Sequence, residues 1–351
     1  MSQKIRIGLV GAGKNTRERH IPGFQAIPGV EIIGVTNRTL ESSQRVASAF
    51  GIPKSHERWE DCVNDPEVDA VCIGTWPYMH CPVTLAALEA NKHVLCEARM
   101  AMNATEARQM LAASQARPDL ISQLVPSPYM LGPDAAIYDF LQSNRLGDVL
   151  SVDLRFCADQ FIDRESPLTW RQDRKRSGLN TLAMGILYET LMRWVGEARR
   201  VTANTRVFAA ERMDESGKKR SIEVPDHVEI LCDLKSRGVA RLCFSAVTGL
   251  GPKNECWIFG TNGTLRVDFA AQRIFGGVRG DAALVDLTPP ESSYQGWRVE
   301  EEFISAIRGQ EKIKFTTFED GLKYMEFTEA VATSSITGQA VELPLRQLSQ
   351  F

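Results

Sequence analysis

The sequence predicts an α/β chain: a doubly wound parallel sheet at the amino end, followed by an α+β unit with an open-faced, mostly antiparallel sheet. Three observations carry this reading. Short apolar runs alternate with amphipathic stretches as far as about residue 126, the rhythm of a parallel sheet with helices on both faces. Beyond Pro126-Ser127-Pro128, apolar strands follow one another closely, separated by turns such as Ser236-Arg237-Gly238 and Thr261-Asn262-Gly263, which is an antiparallel pattern. A length of 351 residues also exceeds one ordinary core. Two domains are therefore expected, 1–126 and 127–351, the second with carboxyl-terminal helices returning toward the first.

The first strand, Ile5 to Val10, runs into Gly11-Ala12-Gly13, and Val30 to Val35 returns as a second buried strand. Between them the spacing predicts a helix. In such a unit Gly11 permits a tight turn, Gly13 lets the backbone approach a pyrophosphate, and the helix start faces the negative charge. Thr16 stands where the third glycine of the fingerprint would be, but the flanking strand, helix and strand supply the context the motif requires. Gly11, Ala12, Gly13, Asn15 and Thr16 are therefore candidate contacts to a dinucleotide.

Further strands are expected at 30–36, 69–75, 92–96 and 119–125, with helices at 41–50, at 81–90 behind Pro82, and at 105–116. Asn103 and Glu106 are spaced as a capping box at the start of the last. In the second half a helix over 133–144 ends at Leu146-Gly147-Asp148. An antiparallel meander follows, with strands at 149–157, 199–209, 226–235, 239–247, 254–260 and 263–268. An apolar helical stretch at 177–196 interrupts it, and 296–338 reads as two more helices. One face of this sheet is left to pack on another subunit.

The net charge is −3, and no basic block exceeds Lys218-Lys219-Arg220, which tops a solvated hairpin. That balance argues against nucleic-acid or membrane-surface partners. Eight cysteines without C-x-x-C spacing read as buried reduced thiols rather than disulfides or a metal site. With no signal peptide and no apolar run long enough to span a bilayer, a cytoplasmic location is expected.

Several motifs taken together resemble one family. They are Gly8-x-x-Gly11-x-Gly13, Arg19-His20, Asp69-Ala70-Val71 followed by Thr75 to His80, His93 to Glu97, and Thr317 to Leu322. This set is similar to the glucose-fructose oxidoreductase, inositol dehydrogenase and rhizopine-catabolism (Gfo/Idh/MocA) group over nearly the whole chain. The resemblance implies a Rossmann domain, a mixed sheet carrying substrate contacts and subunit contacts, and hydride transfer between NAD(P) and a hydroxyl carbon of a sugar or cyclitol. It also implies an active-site lysine after the glutamate of the fifth strand, and a histidine between two aspartates on a helix of the second domain. Here the matching positions hold Ala98, with Arg99 after it, and Ala183, Leu187 and Thr190. General acid–base assistance is worth about a hundredfold to ten-thousandfold, and neither alanine nor leucine moves a proton.

The candidate residues follow from position. Arg38, after Asn37 at the end of the second strand, stands where an acid would bind a ribose 2′-OH; its guanidinium suits a 2′-phosphate, so NADP is favoured and NAD remains possible. The resemblance places Glu97 on the nicotinamide ribose and Ala98 beside the cofactor, with Arg99 as a substrate clamp or a structural ion pair. Thr75, Trp76 and His80 close another strand at the same edge of the sheet. Trp170, Arg171, Asp173 and Asn180 lie where relatives keep substrate-binding groups, and Asp173 and Arg171 also read as a surface ion pair. Tyr188, Tyr129 and His80 are the candidate proton carriers, with core packing the alternative for each. By the helical period Glu189 is turned about 200° from Leu187, away from a pocket there. Three functions stay open: an NAD(P)-dependent oxidoreductase, NADP favoured, acting on a small polyhydroxylated or ring-bearing alcohol or ketone; an NAD(P)-assisted lyase, epimerase or hydrolase working through a transient ketone; and a non-catalytic cofactor-binding sensor or scaffold. A homodimer or homotetramer through the second sheet is expected in each case.

Overall fold

A computed structural model describes residues 4–252, 254–294 and 296–346. Its contacts divide the chain into two compact units, one of residues 1–126 with 298–322, the other of residues 127–297 with 323–351.

The first unit is built on a six-stranded parallel sheet. Its strands are β1 (Ile5–Val10), β2 (Val30–Thr36), β3 (Lys54–His56), β4 (Ala70–Ile73), β5 (His93–Cys96) and β6 (Ser122–Leu124), in the spatial order β3-β2-β1-β4-β5-β6. That is the doubly wound order whose switch point lies between β1 and β4. Helices α1 (Ile21–Ala26), α2 (Leu40–Phe50), α3 (Trp59–Val63), α4 (Pro77–Glu89) and α5 (Ala104–Gln115) connect the strands. Ile7 and Leu9 of β1 are fully buried, as a strand covered on both faces requires.

Two expectations shift here. α4 starts at Pro77 rather than near residue 81, because a first-turn proline loses no hydrogen bond. Asn103 does cap α5 by accepting from the Glu106 N–H at 2.9 Å, but Glu106 Oε2 accepts from the Met102 N–H, not from Asn103. Residues 298–322 complete this unit with α9 (Val299–Ile307) and the start of α10 (Phe318–Thr337). Leu124 and Thr316 exchange backbone hydrogen bonds of 2.9 and 3.2 Å along β6, and Phe303 meets Phe24 edge-on.

The second unit holds α6 (Asp134–Gln142), β7 (Val149–Asp159), α7 (Arg174–Ser177), α8 (Met184–Val195) and β8 (Ala198–Arg206). A two-stranded ribbon, β9 (Glu211–Met213) and β10 (Lys219–Ser221), stands apart and carries the exposed Lys218-Lys219-Arg220 run. Then come β11 (His227–Leu234), β12 (Val239–Thr248), β13 (Glu255–Gly260), β14 (Gly263–Asp268), β15 (Arg273–Val278), β16 (Val285–Asp286) and β17 (Val341–Glu342).

The nine-stranded sheet runs β16-β15-β14-β13-β7-β12-β11-β8-β17. The expected meander is corrected at its centre, where β7 pairs parallel with β12 and antiparallel with β13. The helical stretch expected over 177–196 is likewise broken at Gly178, whose φ of 63° ends α7. One sheet face buries Val152, Ile230, Leu242 and Ile258. The opposite face leaves Leu231 and Val239 exposed, beside the stacked pair Trp257 and Phe259. No helix among the described residues is long and apolar enough to cross a membrane.

Candidate cofactor and substrate sites

At the carboxyl end of β1 the backbone turns at Gly11 with φ of +87°, held by the Gly11 N–H to the Thr36 carbonyl at 2.8 Å. A Cβ here would sit 2.7 Å from Thr75 Cγ2 and 2.8 Å from the Gly74 backbone, so both conformation and space demand glycine. At Gly13 a Cβ would come within 3.3 Å of the Gly74 carbonyl oxygen.

Thr16 is buried, with its hydroxyl on the Gly11 carbonyl at 3.3 Å, and it fills the space that a Cβ on Gly74 would need. The third glycine has in effect moved across to the end of β4. Thr16 is therefore a packing residue, and Asn15 likewise turns to Glu97, not to the glycine turn. From Thr16 to His20 the helix makes one π turn, a feature frequent at functional sites.

A cavity of about 1230 Å³ opens over this turn, lined by Gly11, Gly13, Asn37, Arg38, Thr75 and Trp76. That is somewhat larger than the roughly 300–1,000 Å³ of an ordinary small-molecule pocket. Thr75 Oγ1 is buried there without a hydrogen-bond partner, a polar atom that a ligand would satisfy. The glycine cradle, the cavity and this hydroxyl together fit a dinucleotide. Arg38 is exposed, with its guanidinium 5.6 Å from the Trp76 ring centre. Asn37 lines the cavity, but its amide braces the walls: Oδ1 accepts from the Ala12 N–H at 2.7 Å and Nδ2 donates to the Ser42 carbonyl at 3.1 Å.

Glu97, at the end of β5, belongs to a group only partly visible in the sequence. Its Oε1 meets His20 Nε2 at 3.0 Å and the Asn15 amide, and the other ring nitrogen of His20 meets Glu300 of α9. Burial opposes charge on His20, but the hydrogen bonds to Glu300 and Glu97 outweigh it and raise its pKa to about 9. For Glu97 burial acts upward, yet His20 and Asn15 hold the carboxyl below its usual range. Glu300 lies more than two hundred residues away in the sequence, with no local motif to mark it, and His20 showed only as half of an Arg-His pair.

His80, expected as a proton carrier, is fully buried in α4. Its Nδ1 lies 2.9 Å from the Arg99 carbonyl and its Nε2 3.1 Å from the Thr75 carbonyl. Burial lowers its pKa. It ties the loop after β4 to the loop after β5 and does not reach the cavity as an acid. Arg99 is itself buried, and the Ala98 N–H points at Glu97 Oε2 at 3.2 Å.

Tyr188 also departs from its expected role. Only 2% exposed, it stacks on Phe327 at 3.6 Å between ring centres and accepts the Ala198 N–H at 2.8 Å. Burial pushes its phenol well up, so it serves as a core brace. Asp173 caps α7 through the Lys175 N–H at 3.0 Å and pairs with Arg176, and buried Asn180 donates to the Ser177 carbonyl at 2.7 Å. Both stabilise their own turn.

Tyr129 and Trp170 remain partly exposed and Arg171 is exposed. The Arg171 guanidinium lies 4.4 Å over the Trp170 ring; burial lowers its pKa while the nearby Tyr129 phenol acts the other way. Glu189 is buried, accepting from the Ser127 N–H at 3.1 Å beside Arg193. It thus fastens the crossover that carries Tyr129, a role its helical position did not reveal.

Residues 5–123 match the family model described as "Oxidoreductase family, NAD-binding Rossmann fold", and residues 135–266 match "GFO/IDH/MocA C-terminal domain". Levoglucosan dehydrogenase of Pseudarthrobacter phenanthrenivorans is 27% identical over 228 residues, 61% of this chain and 57% of that protein. Trans-1,2-dihydrobenzene-1,2-diol dehydrogenase of Mus musculus is 26% identical over 265 residues, covering 75% of this chain and 74% of its own length. A stretch of 110 residues, 31% of this chain and 33% of the relative, is 40% identical to 1,5-anhydro-D-fructose reductase of Ensifer adhaerens. Among solved structures, a levoglucosan dehydrogenase in complex with NADH and L-sorbose shares the fold, with a TM-score of 0.87 at 21% identity over 97% of this chain and 99% of that one. With its two halves matching the two domain models in order, the chain belongs to the Gfo/Idh/MocA oxidoreductase family.

Proposed function

We propose that this chain is an NADP-preferring oxidoreductase that moves a hydride between its coenzyme and a small polyhydroxylated or ring-bearing alcohol or ketone. The observation that carries the reading is the cavity over Gly11 and Gly13, walled by Arg38 and Trp76. No acid stands among Thr36, Asn37, Arg38 and Thr39 to take a ribose 2′-OH, and an exposed guanidinium matches a 2′-phosphate. The relatives named for levoglucosan, anhydrofructose and a dihydrodiol support a substrate of the sugar or diol class.

When bound, the nicotinamide supplies or takes up the hydride. The chain does the rest. Glu97, held below its usual carboxylate range, would accept from a ribose hydroxyl, and Thr75 would offer its buried hydroxyl to the same ligand. Ala98 and Leu187 occupy the positions of the family's usual lysine and histidine and handle no proton. Of the three candidate proton carriers, Tyr129 is the one left partly exposed in the second unit, with Arg171 near it, and is the candidate for that work. Titration of the purified protein with NADPH and NADH, followed by turnover across sugars, cyclitols and aromatic diols, tests this. Tighter NADPH binding with turnover on a panel member is expected; uptake of neither coenzyme overturns the reading.

Buried free thiols support a cytoplasmic setting, and the exposed apolar residues on the second sheet support a homodimer or homotetramer.

A further inference from the structure

We infer that Glu300, acting through His20, fixes the direction and charge of Glu97 toward the coenzyme ribose, so that His20 and Glu300 are positioning residues for coenzyme binding. This rests on the coenzyme reading above. The geometry begins with a ring shut away from water. The His20 side chain has no exposure and that of Glu300 has 1%, whereas the Glu97 side chain keeps 15%. Glu97 is thus the member of the group that a ligand can reach.

Both ring nitrogens of His20 face carboxylate oxygens, Nε2 at 3.0 Å from Glu97 and Nδ1 against Glu300. A neutral imidazole has one N–H and satisfies one of them; the imidazolium donates to both. Two carboxylates brought together without a cation would repel, and one would take up a proton. With the cation between them, Glu97 Oε1 is engaged by His20 and by the Asn15 amide. Oε2 meets only the adjacent Ala98 N–H at 3.2 Å among the bonds described, and so has lone-pair capacity for a ribose hydroxyl.

The place for Glu300 is built into α1. A Cβ on Gly23 would fall 2.8 Å from Glu300 Oε2, so glycine there admits the carboxylate. Among the described residues, Glu97 also contributes to the shifts of Cys72, Cys96 and His80. Burial raises both thiols and lowers the histidine, so all three are neutral near pH 7 and His20 is the cation of the set. Its pKa of about 9 agrees with that assignment.

The test pairs two readouts on the full chain. NMR of the His20 ring in coenzyme-free protein reports its titration, and fluorescence titration reports the NADPH Kd from pH 6 to 10. The wild type should titrate near 9, with affinity flat to about pH 8 and then falling about tenfold, the loss of one charge-assisted hydrogen bond. Glu300→Gln keeps the side-chain size and should move both the ring pKa and the break in affinity downward together. Glu97→Gln should weaken binding at every pH and erase the break. A purely structural role would lower the urea midpoint of Glu300→Gln without moving the break in Kd, and that result overturns the inference. So does a wild-type ring titrating near the ordinary histidine value. If no coenzyme binds at any pH while the ring still titrates near 9, the coenzyme reading itself has failed and the positioning role falls with it.

Discussion

Gly11 and Gly13 belong to one motif, yet the structure assigns them different burdens, and alanine at each position separates folding from binding. At Gly11 an added Cβ meets φ of +87° and backbone at 2.8 Å. The left-handed conformation costs an L-residue about 1–2 kcal/mol, and crowding against atoms that cannot rotate away adds about 1–3 kcal/mol. Gly11→Ala should therefore lose roughly 2–5 kcal/mol, a large part of the roughly 5–15 kcal/mol available to a domain. At Gly13 the closest approach is 3.3 Å to the Gly74 carbonyl oxygen, which a shift of a few tenths of an ångström relieves. Its loss should stay below about 1 kcal/mol, while the methyl group lifts a ligand off the backbone and weakens coenzyme binding about tenfold or more. Urea unfolding measures the first quantity, and coenzyme titration of the folded variants the second. Equal destabilisation at both positions, or a Gly11→Ala protein within about 1 kcal/mol of wild type, would refute the argument.

Arg38→Ala should cost NADPH binding about 1.5–3 kcal/mol, the worth of hydrogen bonds to a charged group, and leave NADH nearly unchanged; isothermal titration with both coenzymes decides it. Tyr188→Phe strands the buried Ala198 N–H and should lose about 1–3 kcal/mol of stability with kcat preserved, whereas a tenfold fall in kcat would return the phenol to the chemistry. His20 has a folded pKa of about 9, above its ordinary 6.5, so its contribution is full below about pH 6.5 and is lost as pH rises through about 9. That is up to about 3 kcal/mol at about 1.4 per unit, read from urea midpoints of wild type against His20→Asn. Asp134, raised by burial to about 6 despite Arg193 and Trp194, also stabilises most in its protonated form, below about pH 4, and loses that contribution as pH rises through about 6. Asp134→Asn should flatten the stability profile across that interval.

The parallel sheet was legible because its strands are continuous apolar runs and its turns carry diagnostic residues. β3 was not, since Lys54-Ser55-His56 is polar throughout and pairs at the sheet's edge, where no burial pattern marks it. The pairing of β7 with β12 was hidden for another reason: parallel partners some eighty residues apart leave no local signal. In the site, the tight turn at Gly11 could be read because a left-handed backbone position speaks from a single residue. Tyr188, His80 and Asp173 misled because hydroxyl, imidazole and carboxylate serve backbone carbonyls, amides and helix caps as readily as substrates, and sequence does not say which partner each side chain meets. Glu300 was invisible because only the tertiary return of α9 gives it a counter-ion.

The first unit is written in two instalments, residues 1–126 and 298–322. During vectorial synthesis its sheet emerges long before Thr316 can pair with Leu124 or Glu300 can reach His20. Until then the outer strand offers a bare hydrogen-bonding edge to any passing chain, and an imidazole lies over a vacant seat. A chain ended anywhere before residue 298 would lack the second instalment and both of these contacts.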